Sequence, residues 1–139
     1  MKSQIPEKLA DLFEAAAAAR KNSYSPYSHY AVGCAIRMED GKIFSGCNVE
    51  NSSYGATICA ERTAVLSAVT AGSKKIRELL LITQNSPPAP PCGVCLQVIR
   101  EFGEEKTPIH LSNPAGELRT VEFRELLPQA FLTDHLFKN

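Results

Sequence analysis

The sequence predicts an α/β protein of three layers, a mixed five-stranded sheet with helices on both faces. Three observations predict it. Apolar spacing switches between a helical and a two-residue period in the order α-β-β-α-β-α-β-β-α along the chain. Turn residues, Asp40-Gly41 and Asn113-Pro114-Ala115-Gly116, stand between neighbouring strand-like runs. At 139 residues the chain fits a single domain over 1–139, able to bury a sizeable core without disulfides.

Residues 6–21 read as the first helix: Leu9, Leu12, Phe13 and Ala16 recur at helical spacing, and Ala15 to Ala19 has high helix propensity. Tyr30, Val32, Cys34, Ile36 and Met38 alternate with smaller or more polar residues, as in a strand. A second strand follows the Asp40-Gly41 turn at Lys42 to Cys47. Asn48 to Thr57, rich in Asn, Ser and Gly, reads as a loop. A helix from about Cys59 carries Ala60, Ala64, Val65, Ala68 and Val69 on one face and stops at Gly72. Residues 76–83 read as a buried strand, and four prolines within Asn85 to Pro91 exclude helix or interior strand there. Cys92 to Phe102 forms the next helix, with Gly103 as its cap. Ile109 to Leu111 and Leu118 to Phe123 are short strands, and a C-terminal helix begins near Val121.

The composition, 44% hydrophobic and 22% charged, is that of a globular protein with no bias toward disorder. Formal net charge is zero and no Lys/Arg run is visible, which argues against nucleic acid as a partner. Glu7, Asp11 and Glu14 interrupt the N-terminal apolar pattern where a signal peptide would need an unbroken stretch, and no segment approaches a membrane span. The cytoplasm is the default location. Five cysteines, two of them in a C-x-x-C, favour metal or redox chemistry over a disulfide framework in a reducing compartment.

The informative residues stand at the starts of two helices, Cys59-Ala60-Glu61-Arg62 and Pro91-Cys92-Gly93-Val94-Cys95. Cys92 and Cys95 are one helical turn apart, so both thiols can face one point. Helix N-termini favour thiolate over thiol. Three thiolates, at about 2.3 Å each, could hold one Zn2+ per chain and leave the fourth tetrahedral position to water. They outweigh the ion by one negative charge, which Arg62 and the two helix dipoles would offset. Glu61 is placed to face the water without being a ligand. Taken alone, the C-x-x-C is equally a redox pair or half of a structural zinc site. C-A-E together with P-C-x-x-C favours catalytic zinc, since a structural site has no use for a carboxylate beside the metal. Cys34 and Cys47 read as buried small hydrophobes, and His29, His110 and His135 as scattered surface or core residues.

On these motifs the chain resembles the zinc-dependent base deaminases, whose pattern is H-x-E with P-C-x-x-C. With Cys59 in place of the histidine, it is similar to the small homotetrameric cytidine deaminases, from Tyr24-Ser25-Pro26-Tyr27-Ser28 to Glu125-Leu126-Leu127-Pro128. Gly46-Cys47-Asn48-Val49-Glu50-Asn51 adds a third specific stretch. The resemblance implies that Cys59, Cys92 and Cys95 hold zinc and that Glu61 carries protons. It also implies that the Ala60 N–H binds the pyrimidine 2-oxo group and that Asn48 and Glu50 bind the ribose 3′-hydroxyl. Tyr30 stands where the family usually has a phenylalanine stacking on the base. Phe131 resembles the aromatic residue that reaches a neighbouring subunit's pyrimidine, which implies a homotetramer with shared active sites. Leu96 departs from the family's usual arginine, with consequences for zinc affinity or assembly.

The implied reaction has Glu61 take a proton from the attacking water and give it to N3 of cytosine. Attack at C4 follows, and Glu61 carries a second proton to the amino group, which leaves as ammonia. The substrates would be cytidine and deoxycytidine, in pyrimidine salvage. An alternative substrate is another amino-pyrimidine nucleoside, such as a blasticidin-type antibiotic, against which Asn48 and Glu50 argue. An alternative class is a zinc-stabilised interaction module, against which Glu61 argues.

Overall fold

Alternation along β1 (Gly33–Met38) is divided between the two faces of a sheet. Cys34, Ile36 and Met38 enter one core, with Leu79, Leu81, Ile109, Leu111 and Val121 from neighbouring strands. Ala35 enters another, with Leu80 and Ile82. The computed structural model describes residues 3–137 of the 139. Its other strands are β2 (Ile43–Cys47), β3 (Ile76–Ile82), β4 (Pro108–Ser112) and β5 (Leu118–Glu122). They form one five-stranded sheet in the order β2-β1-β3-β4-β5. β1 is antiparallel to both β2 and β3, β3 is parallel to β4, and β4 is antiparallel to β5. The sheet is mixed, as the element order predicts.

Helix α1 (Ala10–Arg20) covers the Ala35 face with Leu12 and Ala16. Helices α2 (Ala60–Thr70) and α3 (Gly93–Phe102) cover the opposite face with Ala60, Ala64, Val65, Ala68, Leu96 and Ile99. Two glycines set these distances. A Cβ on Gly33 would fall 2.1 Å from the Ala16 carbonyl of α1, and one on Gly46 would fall 2.6 Å from the Ala64 nitrogen of α2. Both side chains are absent because helix backbone already occupies the space.

Several boundaries differ by a residue from the sequence reading, and three differences stand out. The first helix enters through a 3-10 turn at Glu7–Leu9. β1 begins at Gly33, three residues later than Tyr30, because side chains hold the Tyr30 backbone in place of a ladder partner. Its N–H donates to Ser28 Oγ at 3.0 Å, and its carbonyl accepts from Asn48 Nδ2 at 2.7 Å. The C-terminal helix starts at Phe123 rather than Val121, after a capping box between Glu122 and Glu125, and is one of two: α4 (Phe123–Leu126) and α5 (Thr133–Phe137). A 3-10 turn at Tyr54–Ala56 also lies in the stretch read as loop. Among the described residues no helix is long and apolar enough to cross a membrane.

The register gathers the chemistry at one end of the sheet. Gly33 at the start of β1 pairs with Cys47 at the end of β2 and with Ile82 at the end of β3. The segments holding Tyr30, Asn48 and the Pro-rich approach to Cys92 therefore leave the sheet side by side.

Candidate metal centre and active site

Cys59 and Cys92 are the N-cap residues of α2 and α3, both extended, at ψ 155° and 167°. Cys95 is at the third position of α3. The Sγ atoms of Cys59, Cys92 and Cys95 lie within 4.8 Å of one another, and Cys92 and Cys95 stand 3.6 Å apart. Thiolates at about 2.3 Å from a shared tetrahedral ion would stand roughly 3.8 Å apart, so the spacing suits zinc. Cys95 is buried, Cys59 half-buried and Cys92 exposed, which leaves the cluster open on one side.

The donors' electrostatics also fit a cation. A hydrogen bond from Cys95, with further help from Arg62, brings the Cys59 thiol down to about 5 against the opposing effect of burial. Cys95 is pushed far above the usual thiol range by its bond to Cys59, by burial and by Glu61. A bound divalent ion favours the thiolate form of every cysteine that ligates it. Arg62 Nη2 lies 3.5 Å from Cys59 Sγ and 3.4 Å from the Thr57 carbonyl. Its Nε is buried without a hydrogen-bond partner among the described residues. Leu96, at the position of the family's arginine, is 6% exposed and packs in the core between the helices and the sheet. Arg62 thus stands beside the thiols without a second cation from that position.

Glu61 follows Cys59 by two residues in the first turn of α2 and is 5% exposed. Burial pushes its carboxyl up to about 7, and the negative charge of Cys59 adds to this. A group at that value both accepts and donates a proton near neutral pH. Ala60, beside it, is the first residue of α2, where a helix has no internal acceptor for the N–H.

Asn48 and Glu50 each make three side-chain hydrogen bonds. Asn48 is 8% exposed; its Oδ1 accepts from the Val32 N–H at 3.0 Å and from Ser23 Oγ, while Nδ2 donates to the Tyr30 carbonyl. Glu50 accepts from the N–H groups of Tyr27 and Ser28 at 3.0 and 3.1 Å and from Ser28 Oγ. The Ser28 hydroxyl and these amides hold its carboxyl below the usual range against slight desolvation. One hydrogen of Asn48 Nδ2 and one lone-pair site of Glu50 remain, together one donor and one acceptor. Glu50 opens into a recess of about 310 Å³ lined by Tyr27, Ser28, Tyr54 and Thr57.

Ser23 and Ser28 were not legible as site residues. Both lie in the Ser-Pro-rich turn before β1, and only the fold shows that they brace Asn48 and Glu50. Tyr30 packs half-buried against the core that includes Ala60. Phe131 stands apart: it is 54% exposed, its ring leans on His135 at 5.4 Å, and it lines a recess with Arg100 and Glu101 on the last turn of α3. Cys34 is fully buried, as expected, whereas Cys47 is only half-buried. His110 is a buried residue, away from the metal ligands and bonded to Glu78 and Thr120.

The family of the cytidine and deoxycytidylate deaminase zinc-binding region matches residues 6–111. A cytidine deaminase of Sporosarcina psychrophila is 43% identical over 118 residues, 85% of this chain and 87% of that protein. One of Halalkalibacterium halodurans is 39% identical over 125 residues, 90% of this chain and 95% of the other. The crystal structure of a cytidine deaminase from Burkholderia pseudomallei superposes with a TM-score of 0.84 at 43% identity, covering 91% of this chain and all (100%) of that one.

Proposed function

From the premise that the chain belongs to the cytidine and deoxycytidylate deaminase zinc-binding family, we propose that it hydrolyses cytidine and deoxycytidine to uridine and deoxyuridine with release of ammonia. The observation that carries the proposal is the buried carboxyl of Glu61 beside three thiols that converge from two helix N-termini. Cys59, Cys92 and Cys95 are the zinc ligands. Zinc, when bound, supplies a Lewis acid that lowers the pKa of water. Glu61 then accepts a proton and delivers it to N3, and later carries a proton to the departing amino group. One water is consumed and one ammonia released. Arg62 balances the excess thiolate charge, and the free N–H of Ala60 meets the 2-oxo group.

The unused donor of Asn48 and acceptor of Glu50 match a single hydroxyl, which both accepts and donates; this supports the ribose 3′-hydroxyl as their partner. Tyr30 supplies a face for the base. A nucleoside of the salvage pathway is the fitting substrate, and nothing in the zero net charge favours polynucleotide. A place in the cytoplasm accords with these readings.

We further propose a homotetramer with shared sites. The exposure of Phe131, at the far end of α3 from the thiols, supports delivery of its ring to a neighbour. Val49 and Leu66 are also exposed, 44% and 51%, along a groove of about 530 Å³ on α2 that a second copy would cover. An ultraviolet assay of cytidine, deoxycytidine and free cytosine, run beside a zinc measurement, tests the function. About one zinc per chain and turnover of both nucleosides are expected. Full zinc occupancy in each of Cys59→Ala, Cys92→Ala and Cys95→Ala would remove the assignment. Glu61→Gln should keep zinc and lose activity by at least about 100- to 10,000-fold.

A further inference from the structure

The Tyr30 side chain has an unexpected partner. Its phenol donates to Asn85 Oδ1, 55 residues away in the Pro-rich segment that leads to Cys92. Asn85 is itself anchored: its carbonyl accepts from Asn113 Nδ2 at 3.0 Å, and Asn113 Oδ1 accepts from the Glu117 N–H at 3.1 Å. Asn113 is only 4% exposed, so the anchor is a buried one in the turn between β4 and β5. At its other end Tyr30 is held through its own N–H and carbonyl by Ser28 and Asn48. The ring is therefore tied at the backbone by the ribose-side residues and at the hydroxyl by a residue from a different segment.

We propose that Asn85 is a positioning residue for substrate binding, acting through Tyr30. The inference rests on the reading that Tyr30 presents its face to the base. A tyrosine there brings a hydroxyl that a phenylalanine lacks, and a fixed partner for that hydroxyl restricts the ring where an unpartnered one would leave it free to swing. Asn85 takes up that hydroxyl and pins the far end of the ring axis. The ring contacts the base alike before and during reaction, so the contribution appears in KM rather than kcat.

Steady-state kcat and KM for cytidine would be measured for the wild type, Asn85→Ala, Tyr30→Phe, Tyr30→Ala and the Tyr30→Phe/Asn85→Ala double variant, with zinc content and Tm for each. Asn85→Ala keeps the backbone carbonyl that bonds Asn113, so zinc and Tm should hold. Its KM should rise about 2- to 12-fold, the worth of one neutral hydrogen bond, with kcat within about twofold. On the Tyr30→Phe background the same change should add nothing, because the two residues act as a unit. An unchanged KM in Asn85→Ala, or an equal rise on both backgrounds, overturns the pairing. Tyr30→Ala separates the two levels. If it raises KM while Asn85→Ala does not, only the role of Asn85 falls; if it too leaves KM unchanged, the base-facing reading of Tyr30 falls with it.

Discussion

Glu61 and Glu50 are two carboxylates with opposite environments. Burial raises the first to about 7, while amide and hydroxyl donors lower the second. In the proposed reaction this difference would divide their labour: a group poised near neutrality moves protons, and one fixed in its ionised form accepts a hydroxyl. Glu50→Ala should therefore leave zinc in place and act on substrate choice. The ratio of kcat/KM for cytidine over free cytosine should fall by about 10- to 150-fold, the range for hydrogen bonds to charged groups. Equal losses on both substrates would take Glu50 away from the ribose. Asn48→Ala is a less clean probe, because the same side chain supports the Val32 and Tyr30 backbone. It should shrink the same ratio and also lower Tm.

At the scale of elements, the close approach at Gly46 positions helix α2, which begins beside Cys59 and carries Glu61. A Cβ there would meet the Ala64 nitrogen at 2.6 Å and the Ala60 carbonyl at 2.8 Å, both backbone atoms of α2 that cannot turn aside. Gly46→Ala should push the first turn of α2 off the sheet, and with it Cys59 and Glu61. Zinc affinity and kcat should both drop, while circular dichroism keeps its α/β signature; native zinc affinity in a folded variant would contradict this. The C-terminal arm is a second such element. Gln97 Nε2, on α3, donates to the Phe131 carbonyl at 2.7 Å, so the arm is docked although its ring stays exposed. Under the proposed shared-site assembly, mixed tetramers of Phe131→Ala and Glu61→Gln chains should exceed the sum of the separate activities, since one would supply the carboxyl and the other the ring. Mixed assemblies without that recovery would assign Phe131 to its own subunit.

Across the molecule, the face covered by α1 also carries charge. Arg37 forms an ion pair with Asp11 at 2.8 Å and another with Glu78 at 2.9 Å, and Glu78 bonds His110 Nε2 at 2.8 Å. Arg37 holds the Asp11 carboxyl below its usual value. For Glu78, burial pushes upward, but hydrogen bonds from Arg37 and His110 more than offset it. Both carboxyls therefore titrate lower in the folded than in the unfolded chain. The stability they contribute is present above their ordinary values near 4 and is lost as pH falls through the folded ones. Arg37→Gln should cost about 2 kcal/mol near pH 6, or roughly 4–8 °C in Tm, because Glu78 is left part-buried with less compensation. The Tm gap to wild type should close as pH falls below about 4. A gap independent of pH would show that the loss is one of packing.

The sequence by itself determined the sheet-and-helix order and the ligand set. Residues two or three apart at a helix start must share a local geometry whatever surrounds them, so C-A-E and P-C-x-x-C carry their chemistry in their spacing. Apolar alternation marked the first strand for the same reason, since it reflects the backbone period, while turn residues and short apolar runs marked the other four. Only the tertiary structure decided what depends on contacts between distant segments. It delayed the start of β1 to Gly33 because Ser28 and Asn48 hold the Tyr30 backbone, and it turned Leu96 into a core residue. It brought Ser23 to Asn48, Ser28 to Glu50 and Asn85 to Tyr30 across 25, 22 and 55 residues. Such bonds leave no periodic trace in a chain, because a serine or asparagine in a turn has the same local form whether it caps its own loop or braces a site folded against it.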